Sequence, residues 1–140
     1  KIVEYGPAGS GKSTALTYIN SRIRPSLRGD LKRTPAGTDN LLFFDFSPFE
    51  TPLPNGYRVR LHVYTLTGAV SNPATWKMTL KGADGIIIMV TSPVERTADT
   101  RERVSQLRGF LSAYGVGLDD TPAVLPLNNL DHEPQLADPA

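Results

Sequence analysis

Gly6-Pro7-Ala8-Gly9-Ser10-Gly11-Lys12-Ser13 fits the phosphate-binding loop pattern G-x-x-x-x-G-K-[ST] at every fixed position. The stretch also sits where such a loop must sit. Before it, Lys1-Ile2-Val3-Glu4-Tyr5 reads as a short β-strand. After it, Ser13-Thr14-Ala15-Leu16-Thr17-Tyr18-Ile19 opens a helix with Leu16 and Ile19 spaced for one apolar face. Glycines let successive backbone N–H groups turn inward around a β-phosphate, and the helix N-terminus adds partial positive charge. The residues expected around the phosphates are Ala8, Gly9, Ser10, Gly11, Lys12, Ser13 and Thr14. Lys12 supplies a cation for the β- and γ-phosphates, and the Ser13 hydroxyl suits Mg²⁺.

Working outward, strands are predicted at 1–5, 41–46, 58–66, 86–90 and 123–127, and helices at 12–23, 72–81 and 94–114. This alternation argues for an α/β layered fold. Residues 24–40, with Pro25, Gly29, Pro35 and Gly37, read as a long, mobile connection. The basic set Arg22, Arg24, Arg28, Lys32 and Arg33 has no interleaved aromatic, so we read it as solvated rather than as a nucleic-acid patch. Residues 41–46 and 58–66, joined through Pro52 to Gly56, form an expected antiparallel hairpin. In it Val59, Leu61 and Val63 face the core while Arg58, Arg60 and His62 face out. Asp45 is expected to pair with Arg58 or Arg60 rather than to bind metal. Ile86-Ile87-Ile88-Met89-Val90 lacks alternation, as a central parallel strand does. Val104, Leu107, Leu111 and Tyr114 make a packing stripe, and Tyr114-Gly115 a helix stop. Trp76 is left open between core and partner contact. Pro126 predicts that the last strand lies at an edge or ends early.

The chain has 140 residues, enough for one domain with a single core, expected over 1–140. A net charge of +1 gives no long-range field toward nucleic acid or membrane. No apolar run approaches spanning length, and the absence of cysteine excludes thiol chemistry and suits the cytoplasm. The chain opens on its first strand without a methionine, and residues 132–140 supply neither a further strand nor a helix. Both features read as a piece of a longer product, lacking a C-terminal strand and helix.

Two further segments narrow the nucleotide. Asn128-Asn129-Leu130-Asp131 stands where an N-K-x-D base-recognition motif would, with Asn129 in place of the lysine. Asp131 can accept two hydrogen bonds from guanine N1–H and the 2-amino group, donors that adenine lacks. Asn128 would bond the purine edge or tie down the phosphate loop. Thr65-Leu66-Thr67-Gly68 stands where D-x-x-G normally ends a strand. The Gly68 N–H could reach the γ-phosphate, while Thr65 offers a hydroxyl, instead of a carboxylate, to Mg²⁺ through water. A P-loop kinase or ATPase is disfavoured. There is no lid-like arginine cluster, and no apolar strand ends in a Walker-B acid.

With these pieces placed, the chain resembles bacterial Ras-like small GTPases of the MglA gliding-motility and polarity type. The resemblance is carried by residues 1–7, Leu42-Phe43-Phe44-Asp45-Phe46, Leu61-His62-Val63-Tyr64-Thr65 with Gly68, and Lys81-Gly82-Ala83-Asp84-Gly85. It implies the P-loop NTPase fold of Ras-like proteins, a mostly parallel sheet with an antiparallel switch hairpin. It also implies binding of GTP, GDP and Mg²⁺, and regulation by a roadblock-type (MglB-like) dimer alongside effector proteins. A non-acidic residue at Thr65 is itself a habit of the family. Two departures stand out. The family pattern R-T-L-F-F-D-F carries an arginine finger and a magnesium-binding threonine, and this chain has Asn40 and Leu41 there, with Thr38 a substitute only if the loop shifts. The family's P-G-Q holds the attacking water, and this chain has Thr67-Gly68-Ala69. An arginine finger contributes about 10³–10⁵ in rate. The expectation is nucleotide binding with weak or absent intrinsic hydrolysis. The competing expectation is a pseudo-GTPase scaffold whose nucleotide is structural or absent. In either case Phe46, Phe49, Tyr57, Tyr64 and Trp76 are candidate partner contacts, Phe49 and Trp76 foremost.

Overall fold

In the computed structural model, residues 1–6, 9–37, 39–67, 73–91, 97–124 and 127–128 are described. Strand β1 (Ile2–Tyr5) leads into helix α1 (Lys12–Arg22), followed by β2 (Lys32–Ala36), β3 (Asp39–Phe46) and β4 (Leu61–Thr67). Helix α2 (Pro73–Leu80), β5 (Gly85–Ile88), β6 (Val90–Thr91), α3 (Thr97–Ser112), β7 (Ala123–Val124) and β8 (Leu127–Asn128) complete the order. The main sheet has six strands in the order β2-β3-β4-β1-β5-β7. The β2–β3 and β3–β4 ladders are antiparallel, whereas β1 pairs in parallel with both β4 and β5, and β5 with β7. A two-stranded parallel ladder joins β6 to β8.

Strand alternation divides the interior into two layers. Val3 and Tyr5 of β1 pack with Leu66, Trp76, Leu80, Ile86, Ile88, Leu107 and Leu111, the layer beneath α2 and α3. On the other face Leu16 of α1 packs with Leu42, Phe44 and Val63. Because successive side chains on a strand point to opposite faces, Glu4 lies on the α1 face, between Val3 and Tyr5 of the other layer. Thr65, two residues beyond Val63, lies on that same face.

The hairpin is as expected from sequence; of the strand expected at 86–90, Ile86–Ile88 lie in β5, parallel to β1 and β7, while Val90 belongs to β6 of the second sheet, and Asp45 pairs with Arg60 while His62 stays exposed. Leu107 and Leu111 are buried as the stripe requires. Gly115, at φ 71°, ends α3: its N–H bonds to the Ser112 carbonyl at 3.0 Å and that of Val116 to Leu111 at 3.1 Å. These are the two bonds of a Schellman stop.

Three expectations need correction. Residues 24–40 are not a long connection. They hold a 3₁₀ turn (Pro25–Leu27), the edge strand β2 and the first residues of β3. Pro35 breaks no ladder of consequence because β2 is the outermost strand, and Gly37, at φ 63°, serves the two-residue link implied by the Ala36↔Asp39 pairing. The basic residues there are used locally: Arg24 pairs with Glu50, and Arg28 donates to the Asn20 carbonyl at the end of α1. Second, β4 begins at Leu61 rather than 58, and β3 at Asp39 rather than 41. Third, the strand expected at 123–127 is two short segments, β7 and β8. Pro126 lies outside the described residues. β7 does stand last in the sheet order, in keeping with the edge expected for it.

Candidate phosphate-binding site

The loop between β1 and α1 is built by close approach and by left-handed backbone. A Cβ on Gly6 would lie 2.5 Å from the Met89 carbonyl oxygen and 2.9 Å from Ser10 Oγ, so glycine alone fits. Gly9 (φ 79°) and Gly11 (φ 89°) occupy the left-handed region that side chains disfavour. Gly11 is the N-cap residue of α1, and the Ala15 N–H closes the first helical turn onto its carbonyl at 2.8 Å. No acidic residue sits in that first turn, so the positive end of the helix faces the loop uncompensated by its own side chains. Lys12 and Ser13 therefore begin the helix directly under the loop. Ser10 is fully buried and Thr14 exposed.

The electrostatics centre on Lys12, which is only 4% exposed. Burial pushes its ammonium down to about 8, with Glu4 and then Asp39 pulling the other way. Glu4, 1% exposed, is the counterpart. Burial pushes its carboxyl up to about 7, and the Lys12 charge holds back part of that rise. Among the described residues, neither Glu4 Oε2 nor Asp39 Oδ2 finds a hydrogen-bond partner, although both atoms are buried. Sequence reading passed over both acids. The signal for Glu4 was in plain view: one charged residue inside a strand buried on both faces, two residues before the first loop glycine.

Thr65 sits beside Glu4 in the β1–β4 register, fully buried, and its hydroxyl donates to the Glu4 backbone carbonyl at 3.0 Å. The hydroxyl proton is thus spent inward and the oxygen lone pairs are what remain to offer. Asn40 is not in a loop. It stands in β3 opposite Thr67, whose hydroxyl donates to its carbonyl at 3.3 Å. Asn128 ends β8 opposite Thr91. Ala8, Thr38, Gly68, Ala69, Asn129 and Asp131 lie outside the described residues. Ser13 and Thr65 each carry a hydroxyl oxygen, a donor type that a hard cation such as Mg²⁺ takes.

Of the aromatic partner candidates, Phe49 is 54% and Tyr57 70% exposed. Phe46 is stacked on Phe44, and Tyr64 on Phe43. Trp76 is withdrawn from the candidates: it is 1% exposed, with its ring edge against Tyr5 at 4.7 Å between centroids. Its place on the inner side of α2 makes it core.

No protein-family model matches the chain. A curated protein, the mutual gliding-motility protein MglA of Myxococcus xanthus (strain DK1622), is 37% identical to it over 131 residues. The alignment spans 94% of this chain and 67% of that protein.

Proposed function

Because the chain belongs to the MglA-type small GTPases, we propose that it is a GTP-binding switch in which phosphate binding is kept and intrinsic hydrolysis is weak or lost. The 140 residues would form one GTP-binding domain. The observation that carries this reading is the loop itself: Gly6 allows the close approach, Gly9 and Gly11 the turns, and Lys12 the buried charge at the head of α1. Against that stand Asn40, held in the β3 ladder where the family has its arginine, and Ala69, which has no group to orient a water. Hydrolysis of a phosphoanhydride depends on positioning and charge stabilisation, so these two replacements lower turnover while leaving residues 6–13 free to hold nucleotide.

Mg²⁺ would be held by Ser13 and, through water, by Thr65, and would neutralise charge on the β- and γ-phosphates. Asn128, Asn129 and Asp131 would select guanine. A roadblock-type dimer is the regulator that the family suggests, and it could supply missing catalytic groups in trans; the exposed Phe49 and Tyr57 support an aromatic contact. Control of motility or polarity from the cytoplasm follows from the same kinship, and among the described residues no helix is long and apolar enough to cross a membrane.

Three measurements test the reading together: nucleotide extracted from the purified protein, the melting shift with GTP and Mg²⁺, and single-turnover hydrolysis. Retained guanine nucleotide, a rise in melting temperature and turnover far below that of the MglA of Myxococcus xanthus are expected. Equal displacement of labelled GTP by ATP would remove the guanine assignment. One observation favours the second reading, a scaffold that has given up its nucleotide: a buried carboxylate, Glu4, acts electrostatically on the buried loop lysine. No retained nucleotide and no melting shift would decide for it.

A further inference from the structure

Six asparagines stand in the sequence, and Asn55 is the one that a glycine follows. It lies between β3 and β4, where Leu53-Pro54-Asn55-Gly56-Tyr57 makes a closed turn. The Leu53 N–H donates to the Tyr57 carbonyl at 2.8 Å, and the Gly56 N–H to the Leu53 carbonyl at 2.8 Å. Pro54 fixes the entry, and Gly56, at φ 86°, takes the left-handed exit. The Tyr57 N–H donates to Asn55 Oδ1 at 3.1 Å, which folds the side-chain amide back along the Gly56 peptide. Asn55 and Gly56 are both exposed, and a Cβ built on Gly56 would meet nothing within 4 Å. An amide carbon, a peptide nitrogen without a neighbouring side chain and free access of water thus come together. The other asparagines lack this combination. Asn20 and Asn40 precede Ser21 and Leu41 within α1 and β3, and Asn72 precedes Pro73, which has no N–H.

We propose that Asn55-Gly56 is a self-modification site, at which the asparagine is deamidated through a cyclic imide. Hydroxide takes the Gly56 amide proton, and the nitrogen attacks Asn55 Cγ. The new N–C bond closes a five-membered succinimide, the bond from Cγ to the side-chain nitrogen breaks, and ammonia leaves with a proton from water. Water then opens the ring. Cleavage at Cγ leaves aspartate, and cleavage at the main-chain carbonyl leaves isoaspartate, joined to Gly56 through its side chain. The net reaction consumes one water and releases one ammonia. During the attack negative charge grows on Oδ1, the atom to which the Tyr57 N–H already donates. The Gly56–Leu53 bond opposes the step, because that N–H must first be freed. Opening the two backbone bonds of the turn slows closure by about thirtyfold relative to an open chain. The product carboxylate stands beside Tyr57 and Arg58, and isoaspartate adds a main-chain carbon that breaks the turn. The phosphate loop is left as it is: residues 6–13 follow the end of β1, whereas this turn precedes the start of β4, which runs parallel to β1.

The test is timed incubation of the intact protein at mildly alkaline pH, beside a synthetic peptide of residues 51–58 as the open-chain reference. Peptide mapping by mass spectrometry and enzymatic methylation of isoaspartate read the conversion at residue 55. Conversion to a mixture of aspartate and isoaspartate is expected, faster as pH rises and about thirtyfold slower than in the peptide. A rate within about a hundredfold of the peptide's supports the site, and a slower one overturns it. Conversion at Asn20 or Asn40 as fast as at Asn55 also overturns it, because the turn would then have no special part. Asn55→Gln, whose longer side chain would have to close a six-membered ring, is expected to lose the isoaspartate signal; an undiminished signal would place the modification elsewhere and overturn the assignment. Nucleotide affinity enters none of these readouts, so the outcome is independent of the guanine-nucleotide reading.

Discussion

Replacing Glu4 by glutamine should stabilise the nucleotide-free protein near neutral pH and flatten its pH dependence. The carboxyl is held up to about 7 in the fold against an ordinary 4.5, chiefly because burial disfavours the charged form. Below about pH 4.5 it is protonated folded or unfolded and contributes nothing. As pH rises from 4.5 toward 7 the unfolded chain releases its proton while the fold retains it, so stability falls through that window and levels off above it. The full displacement corresponds to on the order of 3 kcal/mol, with the Lys12 attraction already contained in it. A buried glutamine amide takes back on the order of 1 kcal/mol, leaving a net gain of about 2 kcal/mol at neutral pH. Lys12 bears on the upper end of the window. Held down to about 8 from 10.5, it depresses stability at all lower pH and releases that penalty only as pH climbs from about 8. Glu4 is one of the groups holding the Lys12 ammonium up, so Glu4→Gln lowers it further, and the slopes are compared on the acid side of that titration. Denaturant midpoints for both proteins, taken at intervals from about pH 4.5 to about 7.5, are the assay. Parallel pH slopes in the two proteins would refute the argument, because the group responsible for the slope would then not be Glu4.

Two glycines in and after α3 should respond to the same change with opposite sign. Gly109→Ala meets nothing within 4 Å and fills a helical position, so a gain of about 0.5–1 kcal/mol is expected; Gly115→Ala, at φ 71° in the helix stop, should cost about 1–2 kcal/mol. In the loop, Gly6→Ala forces a Cβ to 2.5 Å from the Met89 carbonyl oxygen and should cost about 1–3 kcal/mol together with nucleotide binding, whereas Gly9→Ala, with open space around it, pays only for its φ. Trp76→Ala should cost about 3–5 kcal/mol, and Trp76→Phe less, because the buried indole N–H has no hydrogen-bond partner among the described residues; chemical denaturation measures both. Phe49→Ala should change stability by less than about 0.5 kcal/mol, so any loss of regulator capture in a pull-down would report on the surface alone.

The fold was legible where local chemistry and tertiary demand agree. The loop glycines, the apolar run at 86–88 and the Gly115 stop each announce a backbone state that only one environment rewards. The edge strand β2 was illegible because its residues obey different rules. Lys32, Arg33, Thr34 and Pro35 are exposed, so no apolar period marks them, and a proline that would veto an inner strand is harmless where one ladder suffices. What makes K-R-T-P-A a strand is the neighbour β3, already fixed by its pairing with β4. Trp76 failed for a related reason: each residue along a helix turns by about a hundred degrees, so on an eight-residue helix a shift of one or two positions moves a side chain from the outer face to the inner one, and sequence alone did not set that angle.

At the site, matching a motif finds the residues that fit it and is blind to the residues that oppose it. Residues 6–13 could be named from their spacing because each fixed position has a positive duty toward phosphate. Glu4 and Asp39 have no place in such a pattern, and their meaning depends on a fact of three dimensions, that both act on the Lys12 ammonium. The same holds for Asn40. As a letter it reads as a lost arginine finger, but in the fold it is a ladder residue facing Thr67. Restoring arginine there would place the guanidinium on a strand rather than on a free loop, so recovery of turnover needs β3 to release its first residues as well. Asn40→Arg alone should therefore leave hydrolysis low, while a variant that also weakens the β2–β3 pairing should raise it. Comparing single-turnover rates of the two variants tests this, and full recovery from Asn40→Arg alone would show that the strand is no obstacle.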